Sequence, residues 1–144
     1  MALPKPSPGL VIGYAYLWRN EVLKGLEEGR KDRPCVVVLA AETVEGRTIV
    51  TVAPITHTPP AWASSAIEIS AATKKRLGLD GQRSWIVASD LNRFVWPGVD
   101  LRPISRGSQT YHYGVLPAAL YRELRDKVLE LAGLGHAALS LRNE

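Results

Sequence analysis

One cysteine in 144 residues rules out a disulfide within the chain. That residue, Cys35, lies in the apolar run Pro34-Cys35-Val36-Val37-Val38-Leu39. It is expected to be a buried small hydrophobe rather than a nucleophile, because only Arg33 stands close enough in sequence to favour a thiolate. Histidine is also scarce. His57, His112 and His136 are scattered without the spacing of a metal-ligand set, so no metal and no cofactor is expected, and the last two are placed at the surface. No apolar run approaches the ~18 residues that cross a bilayer. The N-terminus is broken by Pro4, Pro6 and Pro8 and lacks the apolar stretch of a secretion signal, so a cytoplasmic protein without membrane attachment is expected. Internal repeats and low-complexity tracts are lacking as well.

What remains is an ordinary globular composition, 46% hydrophobic with a net charge of +4. The length suits one domain over residues 1–144. A mild positive balance permits a polyanionic partner without demanding one. Residues 1–8 are expected to be a flexible lead-in. Residues 9–18, rich in β-branched and aromatic side chains, predict a first strand. Residues 19–33 are crowded with charge and contain Gly25 and Gly29, which predicts a long loop. Residues 36–40 and 48–53 predict two strands around a Glu45-Gly46 turn, and 66–70 and 84–88 two more. Between these, Ala71–Leu77 predicts a short helix stopped by Gly78. Residues 89–99 predict turns; 101–104 and 111–115 predict short strands. Leu120, Leu124, Val128 and Leu131 keep helical spacing between Pro117 and Gly133, and residues 134–144 are expected to fray. Five to seven short strands, a short helix after the fourth strand and a C-terminal helix give a mainly β fold, a small barrel.

The central hairpin carries a geometric argument. Arg33 stands twelve residues before Glu45, and Thr56 ten after Gly46. Equal offsets from a turn face each other in an antiparallel pair. With one bulge, Arg33 and Thr56 meet at the hairpin's open end, where Pro34 and Pro54 are tolerated.

Gly9-Leu10-Val11-Ile12, a charged loop, Arg33-Pro34 before an apolar strand, and then Val52-Ala53-Pro54-Ile55-Thr56 together resemble the MazF/PemK/Kid toxin family. Val87-Ala88-Ser89-Asp90 continues the similarity. The resemblance implies an SH3-like barrel, a homodimer, a cognate antitoxin as partner, and metal-independent cleavage of single-stranded RNA. In that chemistry the 2′-hydroxyl attacks the adjacent phosphate and the 5′-oxygen leaves, which requires a proton acceptor, a proton donor and positive charge on the phosphoryl oxygens. Arg33 matches the family's catalytic arginine, Thr56 its hydroxyl residue, and Asp90 the aspartate that some relatives use as a base. Ala88 stands where relatives closest to Kid carry an arginine, and Arg93 is a candidate replacement. His57 offers an imidazole, a group that titrates near neutrality. The proton acceptor is left open between Asp90, His57 and some other group.

Arg19, Lys31, His57, Asn92, Arg93 and Trp96 are the candidate RNA contacts. The stretch Asn92-Arg93-Phe94-Val95-Trp96 mixes cation, amide and aromatic, a combination suited to single strands. Trp18, Trp62 and Trp85 are expected to be core or interface anchors. Two rival readings use the same barrel: a gyrase-inhibitor-like toxin, which acts by binding and has no need of Arg33 with Thr56, and a catalytically silent binding barrel.

Overall fold

Strand β1 (Leu10–Tyr16) is buried along its whole length, because both of its faces meet apolar side chains. Alternate residues of a strand leave on opposite sides. Val11 joins one core with residues of two helices, whereas Leu10, Ile12, Tyr14 and Tyr16 join another. The computed structural model describes residues 3–26 and 31–142. Within them β1 pairs antiparallel with β2 (Lys31–Glu42), and β2 pairs with β3 (Thr48–Thr56). The opposite edge of β3 is shared by β5 (Trp85–Val87) near its end and β6 (Asp90–Val95) near its start. β4 (Ala66–Glu68) lies outside β5, β7 (His112–Val115) lies outside β1, and β8 (Ala138–Leu141) runs parallel to β6. The result is an eight-stranded, mainly antiparallel sheet among the described residues, curled into a half-barrel.

The inner core contains Cys35, Val37, Val50, Val52 and Phe94 beside the even-numbered residues of β1. On the outer face, helices α2 (Ala71–Leu77) and α3 (Ala118–Gly133) bring Leu77, Leu124, Val128 and Leu131 against Val36, Ala53, Ile55 and Ile86. The apolar stripe of α3 is the one its spacing predicts. The start and stop of α2 also follow local chemistry. The Ser70 hydroxyl accepts from the Thr73 amide, and Gly78 takes φ +71°, a left-handed value natural to glycine. No helix among the described residues is long and apolar enough to cross a membrane.

Four segments depart from expectation. The segment 19–33 contains a five-residue helix, α1 (Arg19–Leu23). The Glu21 carboxylate accepts from the Trp18 amide at 2.9 Å, which secures the start of α1; β2 begins as early as Lys31. Glu27, Glu28, Gly29 and Arg30 lie outside the described residues. Segment 89–99 is mostly strand β6, because its polar residues point to buried partners rather than to water. Residues 101–104 make only an isolated bridge, Leu101 to Tyr14. There the chain runs so close to Gly13 that the Arg102 amide donates to the Gly13 carbonyl at 2.9 Å. Residues 134–142 do not fray: β8 docks on β6, with Ala138 opposite Asp90 and Leu141 opposite Arg93, and Arg142 is buried beyond it; Asn143 and Glu144 lie outside the described residues. Helix α3 ends at Gly133 as its spacing predicts, with Leu134 as its cap and Gly135 at φ +73° just beyond. His112 is half-buried within β7, and Trp62 is exposed, meeting the His136 ring edge-on at 5.4 Å.

Candidate active site

The site begins with one extra residue. The β2–β3 pairing shifts between Val37 and Leu39, so β2 carries a bulge at Val38. Beyond it Cys35 faces Pro54, and continuing that register two residues puts Arg33 opposite Thr56. Both side chains therefore emerge at the open end of the half-barrel, as the hairpin count predicts.

Arg33 is half-buried, with its guanidinium 5.1 Å from the centre of the Trp18 ring. Such stacking fixes the plane of the fork. Nη1 donates one long bond, 3.4 Å, to the Ile55 carbonyl. Nε is buried and has no hydrogen-bond partner among the described residues. Most of the donor fork is thus unspent. The Thr56 hydroxyl oxygen accepts from the Thr58 amide at 3.1 Å, which leaves its proton free to donate.

Beside this pair lies a network that the sequence does not announce. His57 Nε2 is 2.7 Å from Asp80 Oδ2. Asp80 Oδ1 accepts from Lys74 Nζ at 2.8 Å and from the Gln82 amide at 3.0 Å. Lys74, only 4% exposed, also donates to Ser84 Oγ at 2.6 Å and to the Gln82 carbonyl. The Lys74 hydrogen bond is the main reason that the Asp80 carboxyl lies below its ordinary range. Arg33, Thr56, His57, Lys74, Asp80 and Tyr113 line one cleft of about 420 Å³, and Lys31 stands on its rim, exposed. Burial pushes the Tyr113 phenol up, so it stays neutral. A second groove, about 380 Å³, shares Arg33 and Thr56 and adds Trp18, Asn20, Pro59 and Pro60. The two grooves meet at the arginine–threonine pair.

Asp90 lies elsewhere. It opens β6 and lines neither groove. One oxygen accepts from the Tyr16 hydroxyl at 2.6 Å and the other from the Arg19 amide at 3.1 Å. Burial raises its pKa, while these two bonds pull it back down. Its observed contacts tie α1 to the barrel. Arg19 is exposed at the start of α1 and lines neither groove. Asn92 is wholly buried, which corrects its placement as an RNA contact. Its oxygen accepts from the Leu17 amide at 3.0 Å and Arg142 Nη1 at 2.9 Å, and its nitrogen donates to the Leu17 carbonyl at 2.8 Å. Arg93 is half-buried, with Nε donating to Thr51 Oγ1 at 3.1 Å. Trp96 packs against the inner core and Phe94, and its amide donates to the Thr48 carbonyl. Thr48 is eight residues along β3 from Thr56, about 26 Å at strand rise, so Trp96 lies far from the arginine–threonine pair.

The structure therefore assembles Arg33, Thr56, His57 and Lys31, and leaves Asp90, Arg19, Asn92, Arg93 and Trp96 outside the cleft. It adds Lys74, Asp80 and Trp18. For Lys74 a signal existed, since it stands one turn before buried Leu77 on the core side of α2. For Asp80 there was none, because its histidine partner is 23 residues away. Chemically, a planar cation and a hydroxyl facing each other suit a phosphate, which takes paired donors. The adjacent imidazole–carboxylate pair suits proton transfer.

The model of the PemK-like, MazF-like toxin of type II toxin-antitoxin systems matches residues 21–95, which run from within α1 through the central hairpin and α2 to the end of β6. No curated protein matches the chain.

Proposed function

The chain belongs to the PemK-like, MazF-like toxin family of type II toxin-antitoxin systems, and from that premise we propose that it is an endoribonuclease cleaving single-stranded RNA without a metal ion. The observation that carries the reading is the unspent Arg33 fork facing the Thr56 hydroxyl in a cleft that also contains His57. A phosphate seated between Arg33 and Thr56 has its developing charge met by a guanidinium and a hydroxyl. The ribose 2′-hydroxyl gives its proton to His57 and its oxygen attacks phosphorus. A 2′,3′-cyclic phosphate forms, the bond to the 5′-oxygen breaks, and that oxygen takes a proton from water while the imidazolium returns its own to solvent. His57 is favoured over Asp90 as acceptor because both Asp90 oxygens are engaged outside the cleft. The grooves on either side of Arg33 offer room for the flanking nucleotides, with Lys31 near the backbone.

Family membership implies an antitoxin as partner. An acidic or amphipathic antitoxin segment covering the cleft, a homodimeric toxin and action in the cytoplasm belong to the same reading. The facing arginine–threonine pair speaks against a purely binding, gyrase-inhibitor-like role, which would have no use for it.

The test is cleavage of single-stranded RNA in EDTA by the wild type and by Arg33→Ala. The wild type is expected to release 2′,3′-cyclic phosphate and 5′-hydroxyl ends. Loss of the charge-stabilising group typically lowers turnover about 100-fold or more. A silent wild type, or an equally active variant, refutes the assignment.

A further inference from the structure

Burying an ammonium is costly unless each of its protons finds an acceptor. Lys74 meets that condition: its Nζ bonds Asp80 Oδ1, Ser84 Oγ and the Gln82 carbonyl. The apolar core has no use for this charge. Its effect falls on Asp80, a half-exposed residue in the loop after α2. Lys74 and the Gln82 amide together hold Oδ1, and the carboxylate is thereby turned so that Oδ2 reaches His57 Nε2 at 2.7 Å.

We infer that Asp80, anchored by Lys74, is a positioning residue that holds His57 as its Nε2–H tautomer and leaves Nδ1 as the proton-accepting atom of the site. A neutral imidazole has one N–H and one lone pair. A lone pair on Nε2 would face carboxylate oxygen at 2.7 Å, which is repulsive, so Nε2 carries the hydrogen. The carboxylate stays ionised because Lys74 draws the Asp80 pKa down, and an ionised carboxylate can only accept. The same anion stabilises the imidazolium that forms when Nδ1 takes a proton, as the aspartate of a hydrolase triad does for its histidine. In its last step the inference rests on the ribonuclease reading: the proton that reaches Nδ1 is the one leaving the 2′-hydroxyl, and it later passes to solvent. The tautomer itself exists without RNA.

The full chain, with 15N-labelled histidine and no RNA, is examined by two-bond proton–nitrogen spectra above the pH at which imidazole titrates. The wild type is expected to show His57 as Nε2–H. In Asp80→Asn the amide oxygen can keep Lys74 while the amide nitrogen donates to Nε2, so the ring is expected to switch to Nδ1–H. In Asp80→Ala both tautomers are expected. With RNA as substrate, Asp80→Asn is expected to lower kcat about tenfold or more while KM stays within about twofold, since a wrong tautomer removes general-base action of order 10²–10⁴ and leaves phosphate binding intact. The loss is smaller than in a buried triad because Asp80 and His57 are half exposed. A wild-type Nδ1–H ring, an unchanged tautomer in Asp80→Asn, or an unchanged kcat in that variant overturns the proposal. The expected tautomer switch in a protein that cleaves no RNA upholds the positioning role and refutes the ribonuclease reading instead.

Discussion

Replacing Arg142 with methionine is expected to cost about 3–5 kcal/mol of stability, the usual penalty for removing one partner of a buried ion pair. The Arg142 side chain is 2% exposed and its Nη2 lies 3.0 Å from Asp100 Oδ2, on a side chain itself only 11% exposed. Nη1 donates to the Ala15 carbonyl and to Asn92 Oδ1, each at 2.9 Å, and the guanidinium lies 5.4 Å from the Tyr14 ring centre. Methionine keeps most of the stem, so the loss is electrostatic rather than a cavity. Hydrogen bonds to a charged donor contribute about 1.5–3 kcal/mol each, and the Asp100 carboxylate loses this cation while staying buried. Part of this is returned because the guanidinium no longer has to be stripped of water. At roughly 3 °C per kcal/mol for a chain of this size, Tm falls by about 9–15 °C. Urea unfolding at neutral pH checks the figure, with an unchanged m-value showing that only stability moved. Adding Asp100→Asn to the variant is expected to recover part of the loss, the mark of coupling between the two sites. A shift below about 1 kcal/mol refutes the reasoning and places residues 138–142 outside the cooperative core.

Two further predictions concern β1 and the cleft. A Cβ on Gly13 would sit 2.3 Å from the Arg102 carbonyl oxygen, and backbone cannot yield as a side chain does. Gly13→Ala is therefore expected to cost about 1–3 kcal/mol, and a neutral result in urea unfolding contradicts the close approach. The Asp80 carboxyl titrates below its ordinary value in the folded protein. Its stabilisation is hence present above the unfolded value of about 3.9 and disappears as pH falls through the lower folded value. The stability gap between wild type and Asp80→Asn, about 1 kcal/mol or less because the side chain is half exposed, is expected at pH 7 and should close below about pH 4. A gap as wide at pH 3 as at pH 7 speaks against the lowered pKa.

What could be foreseen from the chain followed from local and periodic signals. The spacing of Leu124, Val128 and Leu131 gave α3, Gly78 gave the end of α2, and the offsets of Arg33 and Thr56 gave the open end of the hairpin with its bulge. What could not be foreseen depended on partners distant in sequence. Asp90 and Asn92 look like turn residues until Tyr16, Leu17 and Arg142 are brought to them, 50 to 75 residues away. The apolar content of 138–141 is too short to distinguish strand from fraying helix without β6 beside it. For the same reason Asp80 was invisible: a carboxylate after a glycine-ended helix is ordinary turn chemistry, and only folding sets it against His57 and Lys74.

The bulge at Val38 has a consequence for which length changes this hairpin can tolerate. Near the turn, Ala40 faces Val50 and Glu42 faces Thr48; carried straight to the open end, that alignment would set Arg33 against His57. The extra residue sets it against Thr56 instead. Since the side-chain period of a strand is two, deleting one residue between Arg33 and the bulge would turn Arg33 to the opposite side of the sheet, away from Trp18. Insertions between Thr43 and Arg47 lengthen only the loop. The hairpin thus acts as a counter of odd and even: its tip can vary in length while its stem must keep count.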